Sequence, residues 1–414
     1  MTTRTVLTAV LALALAPAAA HAAPWSAPRS VTVSGQAREP VVALGGPDAA
    51  GVGYVRHIDG ADRVELRQGT VDTLGTPVIT ARDTRGLDST ALTYSGHSAL
   101  VMWRQFRNPD ARVLQLSSVT RTGATTGPNA ITGPPNSYDP AFVTPNLVQF
   151  NRRTAAYVRS IPQGRPGVTM RLPVGATFDA QVVRLANGAL IAVWPSGGAI
   201  YTATVAPGAT AFGPATRVSA PGGFARTPKL AVTSGGHIVA VWTQADANGR
   251  ALVAASAAPG APFGAPIVLA PSTARALTAQ AIATTNDEVL VTFVSARADS
   301  PAGPLQALQL APDGHAVTPV LALTPPGERT RDAALAVDSG AGYAAWVVGG
   351  NGVRHRVRVV RIAPGGIVGT VRTVSGTDSA VSTPPAFAMT TRGQALIAYA
   401  TQGLRIRLVT RRAG

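Results

Sequence analysis

Seven charged side chains recur at comparable places along the 414-residue chain and are of types that bind or transform charged substrates. Arginine forks bind carboxylate, sulfate or phosphate groups, and aspartates accept hydrogen bonds from hydroxyls. Two aspartates that face each other at about 5–9 Å could instead cleave a glycosidic bond. The competing interpretation is that loop tips are polar because they are wet. The seven residues are Arg38, Asp88, Asp139, Asp179, Arg226, Arg275 and Arg331.

This chain lacks the residues that most other types of enzymatic reaction need. Without cysteine, a thiol nucleophile, a thiolate metal site and a disulfide framework are all excluded. No His-Glu-x-x-His motif occurs, and residues 96–100 lack the second glycine of a nucleophile elbow. Asp246 opens a calcium-loop spacing, but the glutamate that should close it is missing. The sequence therefore predicts no catalytic residue set, no bound metal and no cofactor.

A second set of arginines alternates with apolar residues near the C-terminus. Alternation places each run on one side of a β-strand. Such charges can protect a strand near the rim of a sheet against edge pairing. Alternatively, they can form a basic patch that binds polyanions, and that binding should weaken steeply with salt. The residues are Arg354, Arg356, Arg358, Arg405 and Arg407.

A hairpin that repeats along the whole chain must position these side chains. Its clearest copy, residues 228–242, is an apolar strand, a Gly-Gly turn and a second apolar strand ending on Trp242. Eight such aromatics occur at spacings of 37 to 54 residues, and a period near 50 is typical of β-propeller blades. They are Tyr54, Trp103, Tyr157, Trp194, Trp242, Phe293, Trp346 and Tyr399.

Each unit predicts four strands in one antiparallel sheet. Small residues dominate the first strand, as they must near a narrow axis. The second strand is apolar on both faces, which is typical of a strand covered on both sides. The third alternates with polar residues, and the fourth often opens with proline, which outer strands tolerate. The sequence predicts an all-β fold, an eight-bladed β-propeller of mostly four antiparallel strands per blade. The seven charged residues then lie around one mouth of its channel.

The two ends of the chain predict how the ring closes. The last unit stops after its third strand, at residues 404–409. The missing fourth strand is found at the N-terminal end of the chain, because residues 25–31 repeat the aromatic-small-x-Pro motif of residues 263–266. We expect the N-terminal strand to complete the C-terminal blade, since a closed ring removes exposed sheet edges.

One unit departs from the pattern. Only 37 residues separate Tyr157 from Trp194, enough for a third strand around residues 168–172 but hardly for a fourth. A reduced blade is one interpretation. A seven-bladed ring with an insertion at about residues 129–173 is the alternative.

The N-terminus predicts export. Residues 1–22 combine Arg4, an apolar run over residues 6–16 and a small-residue end at Ala20-His21-Ala22, which is typical of a secretory signal peptide. No later segment approaches the roughly 20 apolar residues that a spanning helix needs. We expect a secreted, extracellular monomer without a membrane span, built as one β-propeller domain over residues 23–414.

The formal net charge of +16 favours an anionic partner or reflects composition alone. Lys229 is the only lysine, so the basic side is almost entirely arginine. A general preference for arginine would produce this bias without any partner. The alternative is attraction to an anionic polymer such as an acidic cell-surface glycan.

These repeats resemble those of secreted β-propeller repeat proteins in general, over essentially the whole mature chain. WD-repeat proteins would have aspartate after the aromatic, where this chain has Arg104, Pro195, Thr243 and Val347. The Asp-box of sialidases is absent, and the resemblance transfers no functional residues. We predict a non-catalytic binding or scaffold propeller that engages a cell-surface glycan or another anionic polymer. The alternatives are a carbohydrate-active hydrolase or lyase using Asp88, Asp139 and Asp179, and a purely structural module for protein contacts.

Overall fold

The structure is a computed structural model of the chain. It describes residues 24–32, 34–46, 48–108, 111–132, 137–173, 175–176, 179–246, 249–270, 275–284, 286–296, 302–349, 355–377, 380 and 384–413. The side chains of Asp246, Ala296 and residues 275–278 lie outside this description, as does the predicted signal peptide at residues 1–22. Within the described residues, no helix has the length and apolar character needed to cross a membrane.

Eight antiparallel sheets follow one another along the chain, which confirms the predicted eight-bladed β-propeller. In seven of them the four main strands pair in chain order, and the eighth takes its outermost strand from the N-terminus. That strand is β1 (Arg29–Ser30). Helical geometry in the described chain is limited to two 3-10 turns, Pro162–Gly164 and Pro364–Gly366.

The strands of the first four blades are given from the channel outward. Blade 1 contains β2 (Gln36–Gly46), β3 (Ala49–Ile58), β4 (Ala61–Gly69) and β5 (Val78–Asp83). Blade 2 contains β6 (Leu87–Ser95), β7 (Ser98–Asn108), β8 (Ala111–Val119) and β9 (Thr125–Ala130). Blade 3 contains β10 (Ser137–Thr144), β11 (Leu147–Arg152), β12 (Ala155–Ser160) and β13 (Thr169–Arg171). Blade 4 contains β14 (Gln181–Arg184), β15 (Leu190–Ser196), β16 (Ala199–Val205) and β17 (Thr216–Arg217).

The last four blades follow the same order. Blade 5 contains β18 (Phe224–Val232), β19 (Ile238–Asp246), β20 (Gly249–Ala257) and β21 (Ile267–Ala270). Blade 6 contains β22 (Arg275–Ala283), β23 (Val289–Ala296), β24 (Leu305–Leu310) and β25 (Leu321–Ala322). Blade 7 contains β26 (Ala333–Val337), β27 (Gly342–Val348), β28 (Arg356–Ala363) and β29 (Ile367–Val368), with β30 (Arg372–Thr373) also on β28. Blade 8 contains β31 (Ala386–Met389), β32 (Ala395–Ala400), β33 (Ile406–Arg411) and β1.

The first strands form the inner ring. Each one contacts the first strands of both neighbouring blades, all the way round. Their residues are mostly half-exposed, as in Leu87–Ser95 and Ala386–Met389, whereas second strands such as Gly342–Val348 and Ala395–Ala400 are buried throughout. Solvent therefore reaches the channel side of the first strands, while the second strands carry the core.

The core consists of eight apolar clusters, one between each pair of neighbouring blades. The second-strand aromatics face the preceding blade; Trp242, for example, packs with Ile191 and Val193 of blade 4. Trp103, Trp194, Trp242 and Trp346 are at most 1% exposed. Because a fully buried aromatic side chain supplies some of the largest apolar area available, one per blade explains how a chain without disulfides holds this ring together.

Ring closure by the N-terminal strand is confirmed. Arg29 pairs with Leu408 and Ser30 with Arg407, and Trp25 forms a further bridge to Arg411. The backbone N–H of Val31 then donates to the carbonyl of Ile406 over 2.9 Å.

A pair of residues marks the end of the fourth strand in five blades. The aliphatic residue of the pair donates its backbone N–H to the carbonyl of a third-strand residue, and the following hydroxyl accepts the N–H of that same residue. The closing strand ends on one of these pairs, so it is a fourth strand by hydrogen bonding as well as by position. The pairs are Val31-Thr32, Ile131-Thr132, Val218-Ser219, Leu323-Thr324 and Val374-Ser375.

Blade 3 is complete, so the reduced-blade prediction is wrong. Phe150 is the aromatic of its second strand, 47 residues after Trp103 and 44 before Trp194. Tyr157 lies on the third strand and stacks on Phe150 as its cross-strand partner, with ring centroids 5.6 Å apart. Thr169–Arg171 is the fourth strand rather than the third. The seven-bladed alternative is excluded as well, because residues 137–171 form a sheet of their own.

Candidate functional site

The predicted site residues all lie on one face of the ring, at the ends where the first strands begin. We call this the top face and the opposite one the bottom face. Arg38, Asp88, Asp139 and Arg226 are within the first three residues of their first strands, and Arg275 opens β22. Asp179 and Arg331 each lie two residues before a first strand. The side chain of Arg275 lies outside the described part of the structure.

A backbone bulge lies next to four of these positions. The pairing of first and second strands shifts register just after Arg38, Asp88, Tyr138 and Arg226. At each shift one residue has a positive φ of about 50°, as in Glu39 and Asp139. A bulge of this kind re-aims side chains and is common beside binding sites. The same backbone device is therefore repeated in at least four blades around the mouth.

Asp88 is held by Arg104, a residue that sequence reasoning missed. Arg104 follows the aromatic of β7 and is the cross-strand partner of Asp88. Its Nε and Nη2 donate to the two Asp88 oxygens over 2.5 Å each. The hydrogen bonds to Asp88 raise the pKa of Arg104, and the charges of Asp139 and Glu39 act in the same direction. Each oxygen of Asp88 therefore accepts one hydrogen bond from the Arg104 guanidinium.

Arg38 is engaged in a similar way with Asp62, which lies at the start of β4, the third strand of blade 1. Arg38 Nη2 donates to Asp62 Oδ2 over 2.8 Å, and the N–H of Leu87 donates to the same oxygen over 3.0 Å. His57 Nδ1 is 2.9 Å from the other oxygen. Burial raises the pKa of Asp62, but these hydrogen bonds outweigh it and leave the pKa below its usual range. The predicted mouth arginine of blade 1 thus fastens blade 1 to blade 2.

The remaining acids near this side of the mouth are more accessible. Asp139 is exposed and accepts a hydrogen bond from Asn151 Nδ2 over 3.2 Å. Asp179 is exposed. Glu39 accepts the N–H of Ser89 over 2.5 Å, and burial raises the pKa of its carboxyl group. Glu39 lies in blade 1, and Asp139 and Asp179 lie at the mouth of blades 3 and 4.

Arginines dominate the top face on the other side of the ring. Arg226 is exposed and lies over the ring of Phe224, 4.3 Å from its centroid. Arg329 and Arg331 are exposed before β26. Asp332, the residue after Arg331, accepts a hydrogen bond from Gln280 Nε2 over 3.4 Å, and burial raises the pKa of Asp332.

Most carboxylates of the top face are neutralised within the protein. Ion pairs join Asp59 to Arg63, Asp62 to Arg38, Asp83 to Arg85, Asp88 to Arg104 and Glu328 to Arg358. Among the described residues, by contrast, Arg226, Arg329 and Arg405 have no carboxylate at ion-pairing distance. The charge left for a ligand is therefore positive over blades 5 to 8.

The predicted rim arginines do not form one continuous patch. Arg356 and Arg358 face blade 6, on the same side of β28 as Val360, whereas Arg405 and Arg407 face blade 7. Arg358 donates to Glu328 over 2.6 Å, Arg356 donates to the Gly376 carbonyl, and Arg407 donates to Ser30 Oγ over 2.8 Å. Arg405 is exposed, and Arg354 lies outside the described residues. Three of these arginines thus hold loops and the closing strand in place.

A cavity of about 640 Å³ opens on the bottom face between blades 3 and 4. Its floor is the lower end of the inter-blade core, at Leu147, Met170, Leu190 and Val205. Among the described lining residues only Arg184 is charged, so the cavity has the size and polarity for a small, mostly apolar molecule.

Comparison with known proteins shows the fold and no family. No protein-family model matches the chain, and no curated protein matches it. Among solved structures, the Dos1 propeller is similar with a TM-score of 0.58 and 12% identity, over 95% of this chain and 97% of that one. A eukaryotic initiation factor is similar with a TM-score of 0.51 and 11% identity, over 94% and 89%.

More distant likenesses have other activities. Virginiamycin B lyase from Staphylococcus aureus has a TM-score of 0.46 and 12% identity, over 78% of this chain and 94% of that one. Identities this low transfer only the β-propeller architecture, because the same fold carries many unrelated functions. The function must therefore be argued from the side chains of this chain.

Proposed function

We propose that the protein is a secreted, non-catalytic β-propeller that binds an anionic polymer, foremost an acidic cell-surface glycan, through the arginines of its top face. The observation that carries this proposal is the unequal pairing of charges there. The acids are mostly fastened to arginines of the scaffold, whereas Arg226 and Arg329 are exposed and lack a described carboxylate partner. Surplus cations of this kind attract a polyanion and release its counterions on binding.

The acids at one side of the mouth limit where the proposed ligand can bind. Asp139 and Asp179 are exposed in blades 3 and 4 and would repel a polyanion. A bound chain would then run over blades 5 to 7 and avoid blades 3 and 4. In this proposal the signal peptide at residues 1–22 delivers the single propeller domain, residues 23–414, to the cell exterior, where it acts as a monomer.

Binding to immobilised polygalacturonate, measured at about 50 mM and 500 mM salt, tests the proposal. We expect retention at low salt and a steep loss at high salt. The triple variant Arg226→Ala/Arg329→Ala/Arg331→Ala should bind at least about tenfold more weakly and show a shallower salt dependence.

The matched control is Arg121→Ala/Arg184→Ala/Arg392→Ala, which removes the same charge from exposed positions of the bottom face. It should retain most of the binding. Equal losses in both triple variants would mean that only net charge matters, and an absence of binding at low salt would remove the function altogether.

A further inference from the structure

A groove runs along the seam where the ring closes. It lies on the outer side of the ring between blades 7 and 8, and it consists of two adjoining cavities of about 160 Å³ and 270 Å³. Both cavities are lined by Trp25 of the closing segment and by Arg372 of β30. Residues from the first and the last part of the chain therefore form its walls together. We call it the seam groove.

Three arginines from three different strands line the smaller cavity. Arg411 of β33 is 6% exposed, donates from Nη1 to the Tyr343 hydroxyl over 2.8 Å and lies 3.8 Å from Asp338. Arg361 and Arg372 are exposed, and no described carboxylate lies within ion-pairing distance of either. Of the described carboxylates, Asp338 alone lies within ion-pairing distance of one of the three guanidinium groups, that of Arg411.

This charge arrangement favours an anion in the smaller cavity. Like charges around one space repel each other, and screening by water is weaker beside a guanidinium that is almost completely buried. A carboxylate or sulfate between the three arginines would remove the repulsion and receive charge-assisted hydrogen bonds. The planar forks of arginine suit these flat or tetrahedral anions better than lysine would.

Trp25 gives the groove a flat apolar wall. Its side chain is partly exposed, it packs against Phe387 with ring centroids 6.3 Å apart, and it borders both cavities. An aromatic face buries the apolar C–H side of a ring-shaped molecule, while polar groups around it fix the orientation. The larger cavity continues past Trp25 along residues 24–28 and 372–375, most of them small or polar.

We propose that the seam groove binds consecutive residues of an acidic polysaccharide, with one anionic group between Arg361, Arg372 and Arg411 and a sugar ring against Trp25. This proposal rests on the proposed function and gives the same ligand class a second, defined site. The two adjoining cavities match a repeating polymer, because one residue can occupy each of them.

Occupation of the seam groove would also stabilise the closed ring. The ligand would contact Trp25 next to the closing strand and Arg372 of blade 7 at the same time. A ligand that binds only the closed form stabilises that form in proportion to its concentration over its dissociation constant. Binding and resistance to thermal unfolding should therefore rise together.

The experiment compares two polyanions on the full chain at about 50 mM salt: polygalacturonate, which has sugar rings, and linear polyphosphate, which has none. Arg361→Ala/Arg372→Ala should weaken polygalacturonate binding about tenfold and lower the slope of log affinity against log salt by about two. It should also abolish the rise in unfolding temperature that polygalacturonate gives to the wild type. The matched control, Arg121→Ala/Arg184→Ala, removes the same charge from exposed bottom-face positions of blades 2 and 4 and should change binding less than about twofold.

Trp25→Leu tests the sugar contact separately. We expect it to weaken polygalacturonate binding and leave polyphosphate binding unchanged, with the circular dichroism spectrum confirming that the variant folds. Equal effects on both polymers would overturn the assignment to a glycan. Wild-type affinity in Arg361→Ala/Arg372→Ala would overturn the seam groove; if the top-face triple variant still lost binding, the proposed function would stand without it.

Discussion

The hydroxyl of Thr32 should contribute to stability as much as its counterparts inside the ring, although it lies near the N-terminus of the described chain. Its Oγ1 accepts the N–H of Ile406 over 3.0 Å, and Thr32 is 1% exposed. Thr32→Val keeps the branched shape and removes the acceptor. The N–H of Ile406 then remains buried on the side of the closing strand with no partner.

The size of the effect follows from that lost acceptor. A buried donor left without a partner costs about 1–3 kcal/mol. This corresponds to a roughly 5- to 150-fold easier opening of the closing strand, since each 1.4 kcal/mol is a factor of ten. Thr132 makes the same bond to the N–H of Leu114 over 3.0 Å within blade 2, so Thr132→Val should cost a similar amount.

Two measurements check this prediction. Urea titration gives the free energy of unfolding, with Thr216→Val as a surface control because Thr216 is exposed on an outer strand. Amide hydrogen exchange at Ile406 reports local opening directly, and its rate should rise in Thr32→Val but not in Thr132→Val. If Thr32→Val matched the surface control in both assays, the closing strand would not hold the ring together and the reasoning would fail.

Three other outcomes rest on burial and hydrogen bonding. Burial raises the pKa of Asp62 and Asp83, yet hydrogen bonds outweigh it and leave both below the usual range. The stability that these two carboxylates contribute is therefore complete above about pH 4 and is lost as the pH falls through their folded-state pKa values. The urea midpoint of unfolding should fall less steeply between pH 6 and pH 2 in Asp62→Asn than in the wild type. The same pH dependence in both proteins would contradict this. Trp346→Ala, which removes a side chain that is 0% exposed, should lower the free energy of unfolding by about 3–5 kcal/mol; a loss below about 1 kcal/mol in urea would speak against an inter-blade core. Phe150→Ala should cost as much as other core aromatics, about 3–5 kcal/mol, while Tyr157→Phe should stay within about 0.5 kcal/mol; the reverse order would restore Tyr157 as the second-strand aromatic.

The blade count and ring closure were predictable because each rests on a local pattern that repeats. A strand covered on both sides must be apolar on both sides, and this leaves a visible run before each aromatic, as before Trp242 and Trp346. The closing strand was visible because Trp25 and Pro28 repeat the opening of another fourth strand. A stronger signal was missed: Val31-Thr32 has the same aliphatic-hydroxyl character as the pairs that end four other blades.

The register of blade 3 was not predictable from the aromatics alone. Phe150 and Tyr157 are cross-strand partners of similar size and character, and both end short apolar runs. Choosing Tyr157 as the second-strand aromatic shortened the next spacing and removed a strand that exists. Cross-strand pairs of aromatics are favourable in any sheet, so pattern alone cannot tell which partner lies on the inner strand.

The positions of the candidate site residues were predictable, but the side chains that bind them were not. Loops into the first strands must surround one mouth, so Arg38, Asp88 and Arg226 were brought to one face as expected. The pair of Asp88 with Arg104 followed from strand register, since the residue after the aromatic lies opposite the mouth residue. The seam groove depends on how neighbouring blades are rotated against each other, and no local pattern records that rotation.

The closing strand also sets when folding can finish. Residues 25–30 are synthesised long before their partners on β33, residues 407–411. The earliest β-strand of the wheel must therefore wait, unpaired, until β33 has been made. Seven blades can assemble in order during that interval. A chain stalled before Leu408, however, cannot pair the closing strand with its final blade. The apolar outer side of that blade then stays exposed to chaperones or to other unfinished copies.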